Sequence, residues 1–342
     1  MKNLLKLASV FSLAVAPMLS QAVTLNVGSY GGSTEQAFRD SIIPMFKKKT
    51  GVDITYVPGN STDTLAKLVA QKKHPQFDVV LIDDGPMEQA QQFNLCAALA
   101  PAPVYQDLYP LSNMGKTAVA LGVVATGLFY NKEAFAKAGW AAPDSWLDLE
   151  DPKFRQKVVI PPISNGYGLH TLIKFAELNG GGVKDIEPGF KAIIDKVAPN
   201  VLAWEPSPGK MSELFQNGSG VLGVWGSGRV EALKNTGFPV EFVYPKEGAV
   251  ALFTAVCPVA RPDAKPEAQQ FVQFLLSPEI QAILAKTQAW GPVNSKTRLT
   301  PEVAAAVPYG PEQIGKLEAV DYSVVNVERG KWTNRWNRTV ER

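Results

Sequence analysis

Residues 218–248 read GSGVLGVWGSGRVEALKNTGFPVEFVYPKEG. Val221 to Trp225 is a short apolar run rich in β-formers and too short for a helix. Gly226-Ser227-Gly228 breaks it, and Ser227 caps the next helix, leaving free backbone N–H groups at its start. Val230, Ala232 and Leu233 give that helix an apolar side. Val240 to Tyr244 is the next strand, ended by Pro245-Lys246-Glu247-Gly248. Strand, glycine turn, helix and strand make one unit of an open α/β sheet, whose ligands bind where strands end and helices begin. Trp225 is therefore a candidate cleft aromatic. The alternative is a core tryptophan above a tight turn.

Working outward, the N-terminal third repeats the pattern. Thr24 to Gly28 is a strand, Ser29-Tyr30-Gly31-Gly32-Ser33 a loop, and Ser33 or Thr34 caps a helix carrying Phe38, Ile42, Met45 and Phe46. Pro44 kinks that helix or marks a second start. Val52 to Val57 is a strand, Asn60 to Thr64 caps a helix, and Phe77 to Ile82 is a third strand. Asp83-Asp84-Gly85-Pro86 then turns into another helix. This βαβαβ order predicts a parallel sheet with right-handed crossovers. Strand character returns at 118–130 and at Val158 to Ile160, and Ser164-Asn165-Gly166-Tyr167-Gly168 opens a helix. In the tail, Trp332 and Trp336 stand one turn apart among Arg329, Lys331, Arg335 and Arg338, which predicts an amphipathic docking helix with a basic outer face.

The 342 residues are 46% hydrophobic and 19% charged, enough for one large or two medium domains. Neither a repeat nor a sharp compositional shift divides the chain. Lys2 and Lys6 precede an apolar run, Leu7 to Leu19, and Ser20-Gln21-Ala22 is a small-x-small end. This predicts a secretory signal peptide cut after Ala22. As a membrane anchor the run is too short, since a span needs roughly 20 residues. Removing two lysines and no acids takes the formal charge from +2 to zero. Neither nucleic acid nor an anionic membrane is implied as partner. Cys96 and Cys257 can pair in an exported protein, but their spacing leaves this open. His74 and His170 are the only two histidines, which argues against a histidine-based metal or triad site. No metal and no cofactor is expected.

Gly218-Ser219-Gly220-Val221-Leu222-Gly223 matches G-x-G-x-x-G by letters, but the strand follows it rather than precedes it, so it carries no dinucleotide signal. Phosphate-loop, zinc-protease and nucleophile-elbow motifs are absent from the sequence. Asp83-Asp84 is either a carboxylate pair for an amine or metal, or a helix cap in a solvated turn. Tyr130, Tyr167, Trp225 and Trp290 each adjoin a strand end or a glycine turn, which suggests a slot for a small organic ligand.

These segments carry a resemblance. FKKKTGVDITYV (46–57), FDVVLI (77–82), FYNKEAFAKAG (129–139), WLDLEDPKFRQKVVIP (146–161), YPKEG (244–248) and FLLSPEIQAILAKTQAWGPVN (274–294) occur in an order that resembles the periplasmic solute-binding proteins of ABC importers, in the spermidine/putrescine-binding branch. The resemblance covers nearly all of the chain after residue 22. It implies a two-lobed α/β fold of the type II kind, with two open sheets, helices on both faces and a hinge of crossing strands. It implies lobe 1 at 23–126 plus 252–291 and lobe 2 at 127–251 plus 292–342, with the docking of the tail left open. The implied function is capture of a small organic solute and its delivery, by hinge closure, to ABC permease subunits with a cytoplasmic ATPase. The implied form is a periplasmic monomer that is not an enzyme. Alternatives are a secreted enzyme on a related scaffold, with Asp83 or His170 as base, and a ferric-iron carrier, which would need neighbouring tyrosines.

Carried over residue by residue, the resemblance implies ligand contacts from Ser29, Tyr30 and Gly31, from Asp83 and Asp84, from Ser164, Asn165 and Tyr167, and from Trp225 and Trp290. The residues add Ser227 and Arg229. Polyamine binders place an aromatic and an acid several residues after P-K-E-G, where this chain has Leu252 and Thr254. Burying an ammonium without a carboxylate costs several kcal/mol, and cation–π contact returns only about 0.5–2 kcal/mol. Arg229, with Ser227 and helix N–H groups, instead suits a carboxylate or phosphonate, and Asp83 an amine. That describes an amino-acid-like zwitterion. In the alternative, Arg229 faces solvent or pairs with Glu231.

Overall fold

The structure, a computed structural model, describes residues 23–341; the expected signal peptide lies outside the described residues. In the first third, β1 (Thr24–Tyr30), α1 (Ser33–Ala37), α2 (Ile43–Thr50), β2 (Asp53–Gly59), α3 (Ser61–Ala70), β3 (Val79–Asp83) and α4 (Asp84–Gln92) follow in order. β1 lies between β2 and β3, parallel to both. Between α1 and α2 the ladder widens to a π-turn at Phe38–Ile42, and Pro44 stands in the first turn of α2. Proline lacks the N–H that would bond residue 40, so the helix restarts there. Asn60 caps α3, accepting from the Asp63 amide at 2.8 Å.

The strand that joins the molecule is β4 (Val119–Asn131), 13 residues long and buried along nearly its whole length. Next come α5 (Lys132–Ala138), β5 (Val158–Ile160), α6 (Gly166–Leu178), α7 (Glu187–Ala192), β6 (Val201–Trp204), α8 (Pro208–Gln216), β7 (Leu222–Gly226), α9 (Ser227–Lys234), β8 (Val240–Val243) and β9 (Val250–Pro258). The chain closes with α10 (Pro266–Leu275), α11 (Pro278–Gln288), β10 (Gly291–Pro292), α12 (Pro301–Ala306), α13 (Gly310–Gly315) and α14 (Tyr322–Thr339). Residues 119–126 of β4 pair antiparallel with β9, and Gly122–Val123 with β10. Residues 126–130 pair with β7, and 128–131 with β8. One half of β4 thus belongs to a sheet with β2, β1, β3 and β9, and the other half to a sheet with β8, β7, β5 and β6. The two expected sheets share this strand and form one ten-stranded network.

Each sheet half has its own core. Leu25, Val27, Phe38, Phe46, Phe271 and Leu275 pack in the first lobe, where Phe46 and Phe271 stand edge to face at 4.9 Å. Trp146, Phe154, Leu172, Phe190 and Trp336 pack in the second. After β10 the chain stays with the first lobe at Asn294, whose side-chain amide donates to the Leu276 carbonyl. The tail ends in the second: Tyr322, Val325, Trp332 and Trp336 of α14 enter that core. Cys96 and Cys257 form a disulfide between the segment after α4 and β9.

Candidate functional site

Between the lobes lies a cleft of about 590 Å³. From the first lobe come Tyr30 at the end of β1, Gly31 and Gly32 of the loop, Asp83 at the end of β3, and Trp290 after α11. From the second come Tyr167 in the first turn of α6, and Gly228 and Arg229 in the first turn of α9. All but Trp290, which follows the end of α11, lie at carboxyl ends of strands or starts of helices, where an open α/β sheet offers backbone N–H groups. At the mouth the lobes touch: a Cβ on Gly228 would lie 3.3 Å from Ala289 Cβ.

Local backbone aims each aromatic. α11 ends at Ala289 with φ 51° and ψ 38°, a left-handed turn that costs an alanine about 1–2 kcal/mol. The next residue, Trp290, meets the Tyr30 ring edge to face at 6.1 Å, and its Cβ fills the space a side chain at Gly122 would need, 2.8 Å away. Tyr167 lies over Gly226, where a Cβ would sit 2.3 Å from the tyrosine hydroxyl. Asn165 caps α6 by accepting from the Tyr167 amide at 2.9 Å.

Asp83, half-buried, and Arg229, exposed, face the cleft from opposite lobes without forming an ion pair. The Tyr30 hydroxyl donates to Asp83 at 2.6 Å, and the Asp83 amide donates to Ser61 Oγ at 3.0 Å. Burial raises the Asp83 carboxyl above its ordinary value, against the Tyr30 and Ser61 hydrogen bonds and the fields of Arg329 and Arg229. Burial raises the Tyr167 hydroxyl too, while Arg229 beside it pulls it down. Neither Asp83 nor Arg229 has an ion pair within 4 Å among the described residues, and Glu231 does not pair with Arg229.

Six of the twelve expected contacts therefore line one cleft: Tyr30, Gly31, Asp83, Tyr167, Arg229 and Trp290. The other six stand behind it. Ser29 is buried in β1. Asp84 turns away from the cleft, accepting from the Gly85 amide at 2.9 Å and the Phe253 amide at 3.0 Å; burial pushes its carboxyl up to about 7. Ser164 gives its carbonyl to Arg329, and Asn165 is the α6 cap. Trp225 packs on Phe129 at 5.5 Å, inside the second lobe. Ser227 accepts from the Ala125 amide at 3.1 Å, which fixes the start of α9 to β4 but directs the hydroxyl away from the cleft. Sequence reasoning did not place Gln288, which ties α1 to the cleft rim by accepting from Thr34 at 2.8 Å. Leu252 and Thr254 do line the cleft.

His170 is fully buried outside the cleft, with Thr126 Oγ1 at 2.7 Å from one ring nitrogen and the Tyr322 hydroxyl at 2.9 Å from the other. A base so placed reaches no solute in the cleft. A group of three or more metal-ligating side chains is absent among the described residues. A larger groove, about 1070 Å³, lies between 244–249 and 309–318. Its charges are already held, Lys246 by Asp144, Lys316 by Glu312 and Glu318 by Lys174 as ion pairs, and Glu247 by hydrogen bonds from the Ser145 hydroxyl and the Trp146 amide. The interlobe cleft, where charges are unmatched, is the candidate site.

A family model for bacterial extracellular solute-binding proteins matches residues 41–309. The spermidine/putrescine-binding periplasmic protein of Salmonella typhimurium is 24% identical over 277 residues, 77% of each chain. A Salmonella paratyphi A protein with a provisional name as a 2-aminoethylphosphonate-binding periplasmic protein is 25% identical over 352 aligned positions, 98% of each chain. Among solved structures, an ABC transporter protein from Clostridium perfringens superposes with a TM-score of 0.81 at 24% identity, covering 92% of this chain and 99% of that one. The matched family is one of binding proteins rather than enzymes.

Proposed function

The chain belongs to the bacterial extracellular solute-binding proteins, and on that premise we propose that it captures a small zwitterion, an ω-amino acid or an amino-phosphonate, in the periplasm. The observation that carries this reading is that Asp83 and Arg229, opposite in sign and free of ion pairs among the described residues, line the same cleft. Asp83 takes the ammonium, with Tyr30 and Trp290 as walls. Arg229 and the first N–H groups of α9 take the carboxylate or phosphonate. Arg229 is exposed with the cleft as it stands, and Asp83 is half-buried. Once the lobes close, a charge left unpaired costs several kcal/mol, so a ligand that supplies both partners gains over one that supplies either alone. In this reading the protein is a monomeric receptor that hands its ligand to an ABC permease.

A second reading is a diamine. Glu231 and Glu302 also line the cleft, and a relative is named for spermidine and putrescine. Glu302 is exposed, whereas Asp83 and Glu231 are half-buried, and Arg229 stands with these two acids rather than a further acid, which favours the zwitterion. Calorimetric titration with an ω-amino acid, 2-aminoethylphosphonate, putrescine and a simple carboxylate separates the two. We expect a zwitterion to bind most tightly and Arg229→Ala to abolish it. Unchanged affinity in Arg229→Ala, or putrescine binding above all zwitterions, would overturn the reading.

A further inference from the structure

Helix α14 is anchored in the second lobe through Tyr322, Val325, Trp332 and Trp336, yet one of its flanks reaches both lobes. Tyr322, Asn326 and Arg329, four and three residues apart, lie along that flank. At the first lobe, Asn326 Nδ2 donates to the Gly85 carbonyl at 3.0 Å. The Tyr322 ring covers Gly85 so closely that a Cβ there would lie 2.9 Å from Cε1. The Tyr322 hydroxyl faces the Asp84 carboxyl, which is held by the Phe253 amide of β9. At the second lobe, the same hydroxyl meets His170 Nε2 of α6 at 2.9 Å, and His170 Nδ1 meets Thr126 of the shared strand at 2.7 Å. Arg329 donates to the Ser164 carbonyl at 3.1 Å, just before the α6 cap.

Both ends of this stripe sit directly behind cleft residues. Gly85 and Asp84 follow Asp83; Ser164 precedes Tyr167 by one helical turn. Asp84, Thr126, His170 and Tyr322 are all buried, so rotating one lobe against the other would strip polar groups of partners that water does not replace. We propose that α14 is an interlobe strap: Tyr322, Asn326 and Arg329 hold the start of α4 against the start of α6 and so set how far the cleft stands open. The strap acts through the lobes and touches no solute. It is independent of which solute binds.

The test is a distance measurement on ligand-free full-length mature protein. Spin labels at Asn235→Cys in the second lobe and Lys286→Cys in the first, both exposed on the cleft walls, report the opening by pulsed dipolar spectroscopy. A short interlobe distance is expected in the labelled parent. Tyr322→Phe, which keeps the ring, and Gly85→Ala, whose methyl wedges against it, are expected to move the short-to-long ratio about tenfold toward long. Asn326→Ala and Arg329→Gln, at less buried positions, carry the test if either core variant fails to fold, with a smaller shift in the same direction. An unchanged distribution in the folded variants overturns the proposal, as does a parent without a short component.

Discussion

The Tyr30 hydroxyl and the Asp83 carboxylate share a 2.6 Å hydrogen bond between the ends of β1 and β3. The bond fixes the carboxylate at the cleft wall and favours its charged form against the burial that raises its pKa. Asp83→Asn should weaken binding of an amine-bearing ligand by about 2–5 kcal/mol, since the ammonium is then enclosed without a counter-charge. Tyr30→Phe should cost less, because the Tyr30–Asp83 bond is made with or without ligand and its loss weakens binding only through the positioning and ionisation of the carboxylate. Calorimetry on both variants checks the order. Equal losses, or a larger one for Tyr30→Phe, would contradict it.

The same pair sets a pH dependence of binding. An ammonium needs Asp83 ionised, so affinity should fall as pH falls through the raised pKa of this carboxyl. Tyr30→Phe removes a contribution that lowers that pKa, so its acid limb should begin at higher pH than in the parent. Titrations along a descending pH series read this directly; coincident profiles would remove Tyr30 from the role.

The Tyr167 ring lies directly over Gly226 and leaves no room for a side chain there. A methyl at 226 would stand 2.3 Å from the Tyr167 hydroxyl and 2.5 Å from the ring, and the Asn165 cap holds the start of α6 in place. Gly226→Ala should therefore displace the ring, at about 1–3 kcal/mol in stability, and weaken ligand binding as well. Pairing it with Tyr167→Ala, which opens the space, should recover stability but not affinity. Denaturant midpoints and titrations on the single and double variants check both halves.

The parallel first sheet was legible because glycine turns and caps separate amphipathic runs there, and Pro44 marked the restart of the helix. Tyr30, Asp83 and Tyr167 were legible because strand ends and helix starts must face the cleft in this fold. Trp225 was not: β7 is buried on both faces, so its alternation carries no sign of which face meets the cleft. Asp84 was not separable from Asp83, because one residue of strand-to-helix turn reverses the side chain. Nothing local says that Ser227 spends its hydroxyl on the Ala125 amide, 102 residues away. The contact of α14 with Gly85, 241 residues away, is equally invisible. Such partners are set by the packing of distant elements.

Asp84 and His170 pull folding stability in opposite directions with pH. Burial pushes the Asp84 carboxyl up to about 7, so the folded state binds a proton that the unfolded chain releases near its ordinary value of 3.8. That contribution favours folding below about pH 4 and is lost as pH rises toward 7. Burial lowers His170 to about 3 from 6.5, so its contribution is present above about 6.5 and lost as pH falls toward 3. Asp84→Asn leaves the histidine unopposed. Stability of the variant should rise more steeply with pH than that of the parent between about 4 and 6.5, by up to about 1.4 kcal/mol per pH unit. Urea unfolding at several pH values gives the difference; parallel curves would show that Asp84 keeps its ordinary titration.

The disulfide between Cys96 and Cys257 anchors the far end of α4, whose near end carries Asp83 and Asp84, to β9. It spans 161 residues of sequence. In the chain-entropy model a loop of that size contributes about 5 kcal/mol by restricting the unfolded chain. Both sulfurs are buried with Met87 and Leu95 in a first-lobe cluster, so reductant reaches them only after local opening, and serine substitution is the cleaner test. The double variant Cys96→Ser/Cys257→Ser should unfold at lower urea, its unfolding free energy reduced by about 2–5 kcal/mol. Because α4 loses its tether, the ligand affinity of the folded variant should fall as well. A lowered midpoint with unchanged affinity would separate the two effects and leave the positioning of Asp83 to β3 alone.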